Sequence, residues 1–160
     1  MIQIGFLTEE ALDEVLALER ICFPDDPWSR MSFENELTNP LSVFLTATDD
    51  ATGSVIGYGG VWLMYDAGNI TNIAIHPDYR REGIAARLLT LLTDICMDKG
   101  METITLEVRE SNLPARKLYE TSGFSVCGLR KKYYQGKEDA LIMTKELLEE
   151  KESDYANISN

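Results

Sequence analysis

The segment IHPDYRREGIAARLL, residues 75–89, decides how this chain is read. A β-like apolar run ends at His76-Pro77, and two arginines, Arg80 and Arg81, precede a lone glycine, Gly83. A helical pattern follows from about Glu82 to Lys99. Ile84, Leu88, Leu91, Leu92 and Ile95 fall on one face, and Arg87, Thr90, Asp94 and Asp98 on the other. Gly100 supplies a left-handed stop. The first N–H groups of a helix have no partners inside it, and with the helix dipole they form an anion site. Gly83 lacks a Cβ, so a phosphate could approach its backbone closely, with Arg80 and Arg81 adding charge. The same glycine could serve only to turn the chain into the helix. Two common nucleotide sites are excluded. There is no GxxxxGK followed by Ser or Thr, and no GxGxxG. The segment also follows a β meander rather than opening a strand–helix–strand unit.

Outward from this turn, the patterns alternate cleanly. IQIGFL (2–7) reads as a strand. Thr8 is a candidate cap for a helix with Leu12, Val15, Leu16 and Ile21 as its apolar stripe. FPDDPWS interrupts with two prolines. Ser29 or Ser32 then caps a second helix carrying Phe33 and Leu37, which stops at Asn39-Pro40. SVFLTAT (42–48) and SVIGYGGVWLMYD (54–66) read as strands around the turn DDATG, and NITNIAIH (69–76) as a central strand. ETITLEVR (102–109) is the next strand. SNLPARKLYETSGF (111–124) is a short helix capped by Ser111 or Asn112 and closed by Gly123. FSVCGLRKKYY and EDALIMTKEL end the fold as strands around QGK. The order β-α-α-β-β-β-α-β-α-β-β predicts an α/β fold of mixed α+β type. Its core would be one central, mostly antiparallel sheet of about seven strands with helices on both faces. Residues 1–150 are expected to form one domain and 151–160 a polar, frayed tail.

Composition narrows the function. Of 160 residues, 27 are acidic and 15 basic, a net charge of −12, which argues against a general nucleic-acid binder and suits a basic partner or solubility alone. Cys22, Cys96 and Cys127 show no CxxC spacing and His76 is the only histidine, so no metal is expected. Cys96 and Cys127 read as core residues. Sparse cysteines and a leader-free N-terminus predict a cytoplasmic protein. No apolar run approaches the roughly 20 residues that span a bilayer.

RREGIA resembles the Q/R-x-x-G-x-G/A signature of the GNAT acetyltransferases, which bind acetyl-coenzyme A. With NIAIHPDYRREGIAARLL before it and LEVRESNLPARKLYETSGF after it, the chain resembles the RimI family of protein N-terminal acetyltransferases. The likeness spans nearly the whole chain and is strongest from Asn72 to Met143. It implies a GNAT fold with acetyl-CoA as cosubstrate and a peptide N-terminus as acceptor, in bacteria that of a small-subunit ribosomal protein. It also implies that Ile73, Ala74 and Ile75 offer strand backbone to the pantetheine arm. Arg81, Glu82, Gly83, Ile84, Ala85 and Ala86 would wrap the pyrophosphate, and Asn112 would hydrogen-bond the cofactor. Where the signature ends in Gly or Ala, this chain has Ala85. The acetyl-CoA would lie between two strands that splay after NIAI.

Acetyl transfer to an amine needs the amine neutral and the leaving thiolate protonated. Neutralising an α-amine of pKa about 7.7–8.0 near pH 7 costs about 1 kcal/mol, against about 4–5 for a lysine. Glu107 is the candidate base. In TITLEVR it shares a face with Thr105 while Ile104, Leu106 and Val108 take the other. Its alternative is an ion pair with an arginine such as Arg109 or Arg116. Tyr119, two turns past Asn112, is the candidate acid that the resemblance implies and also borders the cofactor; alone it reads as a core aromatic. Trp28, Tyr133 and Tyr134 are candidate contacts to the peptide, or else satellite packing. His76 reads as a loop residue rather than a base. Two rivals stay open: acetylation of a small amine such as a polyamine, and a non-catalytic acyl-CoA-binding module. The oligomeric state is not legible.

Overall fold

The computed structural model describes residues 1–134 and 136–147. Seven strands form one sheet in the order β1-β2-β3-β4-β5-β7-β6. They are β1 (Ile2–Phe6), β2 (Ser42–Asp49), β3 (Ser54–Met64), β4 (Ala67–Ile75), β5 (Thr103–Arg109), β6 (Ser125–Tyr134) and β7 (Glu138–Glu146). The helices are α1 (Leu12–Cys22), α2 (Arg30–Thr38), α3 (Ile84–Asp98) and α4 (Leu113–Thr121). β4 and β5 are parallel, in register Ala67↔Thr103 to Asn69↔Thr105, while β1–β2, β2–β3, β5–β7 and β6–β7 are antiparallel. The element order follows the sequence pattern throughout. The tail expected over 151–160, and the end of the 1–150 domain, lie outside the described residues. Among those described, no helix is long and apolar enough to cross a membrane.

The described residues form two compact units, one of Met1–Trp62 with Thr71–Leu92 and one of Leu63–Ile70 with the described residues from Thr93 onward. The first unit has a core of Leu7, Leu12, Val15, Leu16, Leu18, Phe33, Phe44, Tyr58 and Ala74. Its aromatic centre is edge-to-face, with Phe33 at 82° to Phe44 and 88° to Tyr58, an arrangement the ring quadrupoles favour. In the second unit, strict alternation along β5 buries Ile104, Leu106 and Val108 and leaves Thr105, Glu107 and Arg109 on the other face, as the pleat requires.

Several local expectations are corrected. Thr8 caps a short 3₁₀ turn (Glu9–Ala11) without a side-chain hydrogen bond, so α1 starts later than expected. Ile21 is exposed and Glu19 is buried in α1 instead. In α3, Leu91 is exposed and Leu89 joins Ile84, Leu88 and Leu92 inside, while Cys96 is buried as expected. Cys127 is exposed, because β6 is the last strand of the sheet and carries few buried positions. Of the alternative caps, Ser29 holds α2 through Ser32 N–H, and Asn112 holds α4 through Ala115 N–H.

Candidate active site

In the first unit, the site is built where β4 turns into α3. His76 Nδ1 accepts the Asp78 N–H at 3.1 Å and so caps the 3₁₀ turn Pro77–Tyr79, which gives it the loop role its sequence position implies. Arg80 turns back on the strand. Its Nε donates to Ile75 O at 3.0 Å and its other nitrogen approaches Cys22 Sγ at 3.8 Å. Cys22 also donates to Ile75 O, so that carbonyl already has two donors. Arg81 and Gly83 both have left-handed backbones, at φ 65° and 79°. At Gly83 the absence of a Cβ lets the turn take this conformation without the strain a side chain would meet. A Cβ built on Gly83 would meet nothing within 4 Å, so its backbone is also open to a ligand. The helix bond Arg87 N–H to Gly83 O fixes the first turn, whose amides belong to Ile84, Ala85 and Ala86. Ile84 is buried and anchors the turn, while Arg81, Glu82 and Gly83 are exposed. Ile73 is half-buried, and Ala74 and Ile75 are buried. An open, left-handed glycine at a helix N-terminus fits a diphosphate.

The same unit holds a feature the sequence reading missed. Glu19 is only 1% exposed, yet it lies among the apolar core. Its carboxylate accepts the Tyr58 hydroxyl, the Trp28 N–H at 2.8 Å and the Asn72 amide at 3.3 Å. Burial pushes its pKa up, against the Trp28 hydrogen bond that lowers it. Leu12, Val15, Leu16 and Glu19 stand at i, i+3, i+4 and i+7, so an acid on an apolar stripe was the legible signal. Trp28, expected to face the peptide, is half-buried with its ring 5.2 Å from Phe33 and 6.0 Å from Phe44. Much of its surface therefore packs inward.

The second unit brings Glu107, Tyr119, Tyr133 and Tyr134 together. Glu107 is opposite Ile142 of β7, which is opposite Gly128 of β6. Its carboxylate is paired with neither Arg109 nor Arg116, but with Arg130 Nε at 2.8 Å. Arg109 pairs with Glu138 at 3.3 Å, and Arg116 donates to the Glu110 carbonyl. The Tyr133 hydroxyl also hydrogen-bonds Glu107, which raises the phenol's pKa. Between Arg130↔Ala140 and Tyr134↔Glu138 the β6–β7 register shifts, with three residues of β6 set against Asp139 alone. Lys132 has φ 51° there and donates its N–H to Asp139 Oδ1 at 2.7 Å. This bulge defeats the usual alternation, so the consecutive rings of Tyr133 and Tyr134 stack at 5.1 Å and 12°. Arg109 lies over the Tyr134 ring at 4.2 Å, a cation–π contact.

Tyr119 is buried on α4, and burial, with a smaller contribution from Tyr134, pushes its pKa up to about 12. Tyr134 is likewise pushed up to about 12, first by burial and then by Glu107. Both phenols stay protonated at neutral pH, so each can serve as a proton donor. Asn112 is exposed and spends Oδ1 on its cap, accepting the Ala115 N–H at 3.2 Å. Glu138 accepts Ser111 N–H at 2.9 Å and so ties the β5–α4 turn to β7. That hydrogen bonding holds its carboxyl below the usual range.

Residues 10–124 match the acetyltransferase (GNAT) family. A Bacillus subtilis protein provisionally named a ribosomal protein bS18-alanine N-acetyltransferase is 40% identical over 136 residues, covering 84% of this chain and 88% of its own length. The ribosomal protein bS18-alanine N-acetyltransferase of Escherichia coli K12 is 37% identical over 121 residues, covering 73% of this chain and 79% of itself. The crystal structure of the Escherichia coli ribosomal-protein-S18-alanine N-acetyltransferase superposes with a TM-score of 0.82 at 32% identity, over 91% of this chain and 94% of that one. With an open helix N-terminus in one unit and a carboxylate among phenols in the other, the chain belongs to the GNAT family of acetyltransferases and is an acetyl-CoA-dependent N-acetyltransferase.

Proposed function

We propose that this enzyme acetylates the α-amino group of a protein N-terminus in the cytoplasm, with the alanine N-terminus of ribosomal protein bS18 as acceptor. The names of its relatives support that acceptor. The observation that carries the chemistry is the grouping of one half-exposed carboxylate, Glu107, with phenols that remain protonated. The first turn of α3 and Gly83 would hold the diphosphate of acetyl-CoA, whose thioester supplies the acetyl group. Glu107 takes the first proton from the ammonium, directly or through a water, and so frees the nitrogen lone pair for attack. For an α-amine this deprotonation costs about 1 kcal/mol near pH 7, within reach of a carboxylate. As the new C–N bond forms and the C–S bond breaks, the Tyr119 hydroxyl gives its proton to the departing sulfur, and the second proton that the nitrogen loses passes through water to restore the phenol. A phenol with a pKa of about 12 releases that proton only to a base held close to it, which suits concerted transfer. Tyr133 and Tyr134 present a flat aromatic wall beside Glu107, suited to an extended peptide backbone.

The test is mass spectrometry of acceptors incubated with acetyl-CoA: a peptide with the bS18 N-terminus, the same peptide with a blocked α-amine, and spermidine. Acetylation of the first alone is expected. Acetylation of spermidine but not of the peptide would overturn the acceptor reading.

A further inference from the structure

Arg130 occupies the carboxylate that a substrate ammonium must reach. Its position on that face follows from the register. Arg109 (β5), Ala140 (β7) and Arg130 (β6) form one row across the sheet, and Glu107, Ile142 and Gly128 form another. All six lie on one face, because side chains two apart in a strand share a side. Glu107 and Arg130 are two strands apart, roughly 9–10 Å at ordinary strand spacing. Arg130 spans that distance over β7, where its own row offers only the methyl of Ala140. In the neighbouring row the Ile142 side chain leans over Gly128, with its Cδ1 3.2 Å from where a Cβ would stand. The guanidinium reaches Glu107 at 2.8 Å and lies 5.7 Å from the Tyr133 ring centre. Glu107, Tyr133 and the cation thus form a small box that binds a positive charge, and the chain fills it with its own arginine.

We propose that Arg130 is a built-in competitor of the acceptor amine: its guanidinium holds the place on Glu107 that the substrate's ammonium takes, and so sets how tightly the acceptor binds. The proposal rests on Glu107 being the group that receives the amine. Exposure makes the exchange feasible. The Arg130 side chain is 59% exposed and that of Glu107 is 28% exposed, and pairs this open to water are weak and easily broken. Competition from such a pair weakens acceptor binding by about two- to five-fold. An acceptor without a positive charge gains nothing by displacing the arginine, so Arg130 also favours charged amines over neutral ligands.

The test compares wild type, Arg130→Ala and Arg130→Lys, using the acceptor amine that the wild type acetylates and holding acetyl-CoA at saturation. In Arg130→Ala the acceptor KM is expected to fall about two- to five-fold, with the KM for acetyl-CoA unchanged; Arg130→Lys should lie between. Acceptor affinity measured by calorimetry in the presence of coenzyme A should change in parallel, independently of turnover. Methylguanidinium should refill the emptied place in Arg130→Ala and inhibit competitively against the acceptor, with little effect on wild type. A merely structural arginine would give no such inhibition. The proposal is overturned if the acceptor KM rises or stays put, or if kcat falls while KM holds, since Arg130 would then be positioning Glu107. A wild type that acetylates spermidine and no peptide defeats the acceptor assignment alone, and the same comparison with spermidine still decides the role of Arg130.

Discussion

Glu19 in the first unit and Glu107 in the second each accept a hydrogen bond from a tyrosine, and there the likeness stops. Glu19 is 1% exposed, sits among aliphatic and aromatic side chains, and has only neutral donors: a phenol, a backbone N–H and an amide. Glu107 is 28% exposed and has a cation on it. Three fixed neutral donors satisfy a carboxylate without leaving room for anything else, which suits a group that ties the α1–α2 connection to strands β3 and β4. A carboxylate with one exposed, exchangeable cation suits a group that must change partners in every cycle. A buried acid with good hydrogen bonds is costly to disturb, whereas an exposed ion pair is worth about 0–1 kcal/mol. Burial of an acid does not by itself mark a catalytic residue; what decides is whether its partners can leave.

The largest expected effect comes from Glu107→Gln. Turnover should fall by about a hundred- to ten-thousand-fold, the range for losing a general base, with coenzyme A binding and melting temperature almost unchanged. Steady-state kinetics beside calorimetry would show this, and near-normal turnover would end the contrast by making both glutamates structural. Glu19→Ala should do the reverse. It leaves the Tyr58 hydroxyl and the Trp28 N–H buried without an acceptor, a loss of about 2–4 kcal/mol in urea unfolding. Activity per folded molecule should stay within a few-fold; a catalytic collapse in a stably folded Glu19→Ala enzyme would break the comparison. The smallest effect on stability belongs to Tyr119, the buried phenol of the second unit. Its folded pKa of about 12 lies above the ordinary 10, so its contribution to stability is fully present below about pH 10. That contribution, about 2–3 kcal/mol for two pKa units, is lost as the pH rises from about 10 to 12. The unfolding free energy should depend less steeply on pH across that interval for Tyr119→Phe than for wild type, and identical slopes would show that burial does not raise the phenol's pKa.

The order of all seven strands and four helices was legible because each carries its own local pattern and stop signal. Helix faces were legible to within one position. In α1, Ile21 was read as inward because it is apolar, while Glu19 holds the i+7 place; hydropathy outvoted geometry and the geometry was right. In α3, Leu91 gave way to Leu89, as the four leucines 88, 89, 91 and 92 leave the phase of the stripe ambiguous. Glu107 stood out as an acid in a β-branched strand, but its partner did not. Arg109 and Arg116 are near in sequence, whereas Arg130 reaches Glu107 only through a register fixed by β7, over a residue small enough to cross. Non-local pairing of this kind leaves no trace in spacing. The stacking of Tyr133 on Tyr134 was hidden likewise, since adjacent residues in a regular strand face opposite ways and nothing in RKKYY announces a bulge.

That bulge has an evolutionary consequence. Removing a single residue between Arg130 and Tyr134 would slip the remainder of β6 by one place and turn one of the two rings away from Glu107, whatever its identity. Under the proposed function, in which these rings line the acceptor, acceptor choice would drift by gain or loss of one codon in the last hairpin, with Glu107 and Tyr119 left as they are.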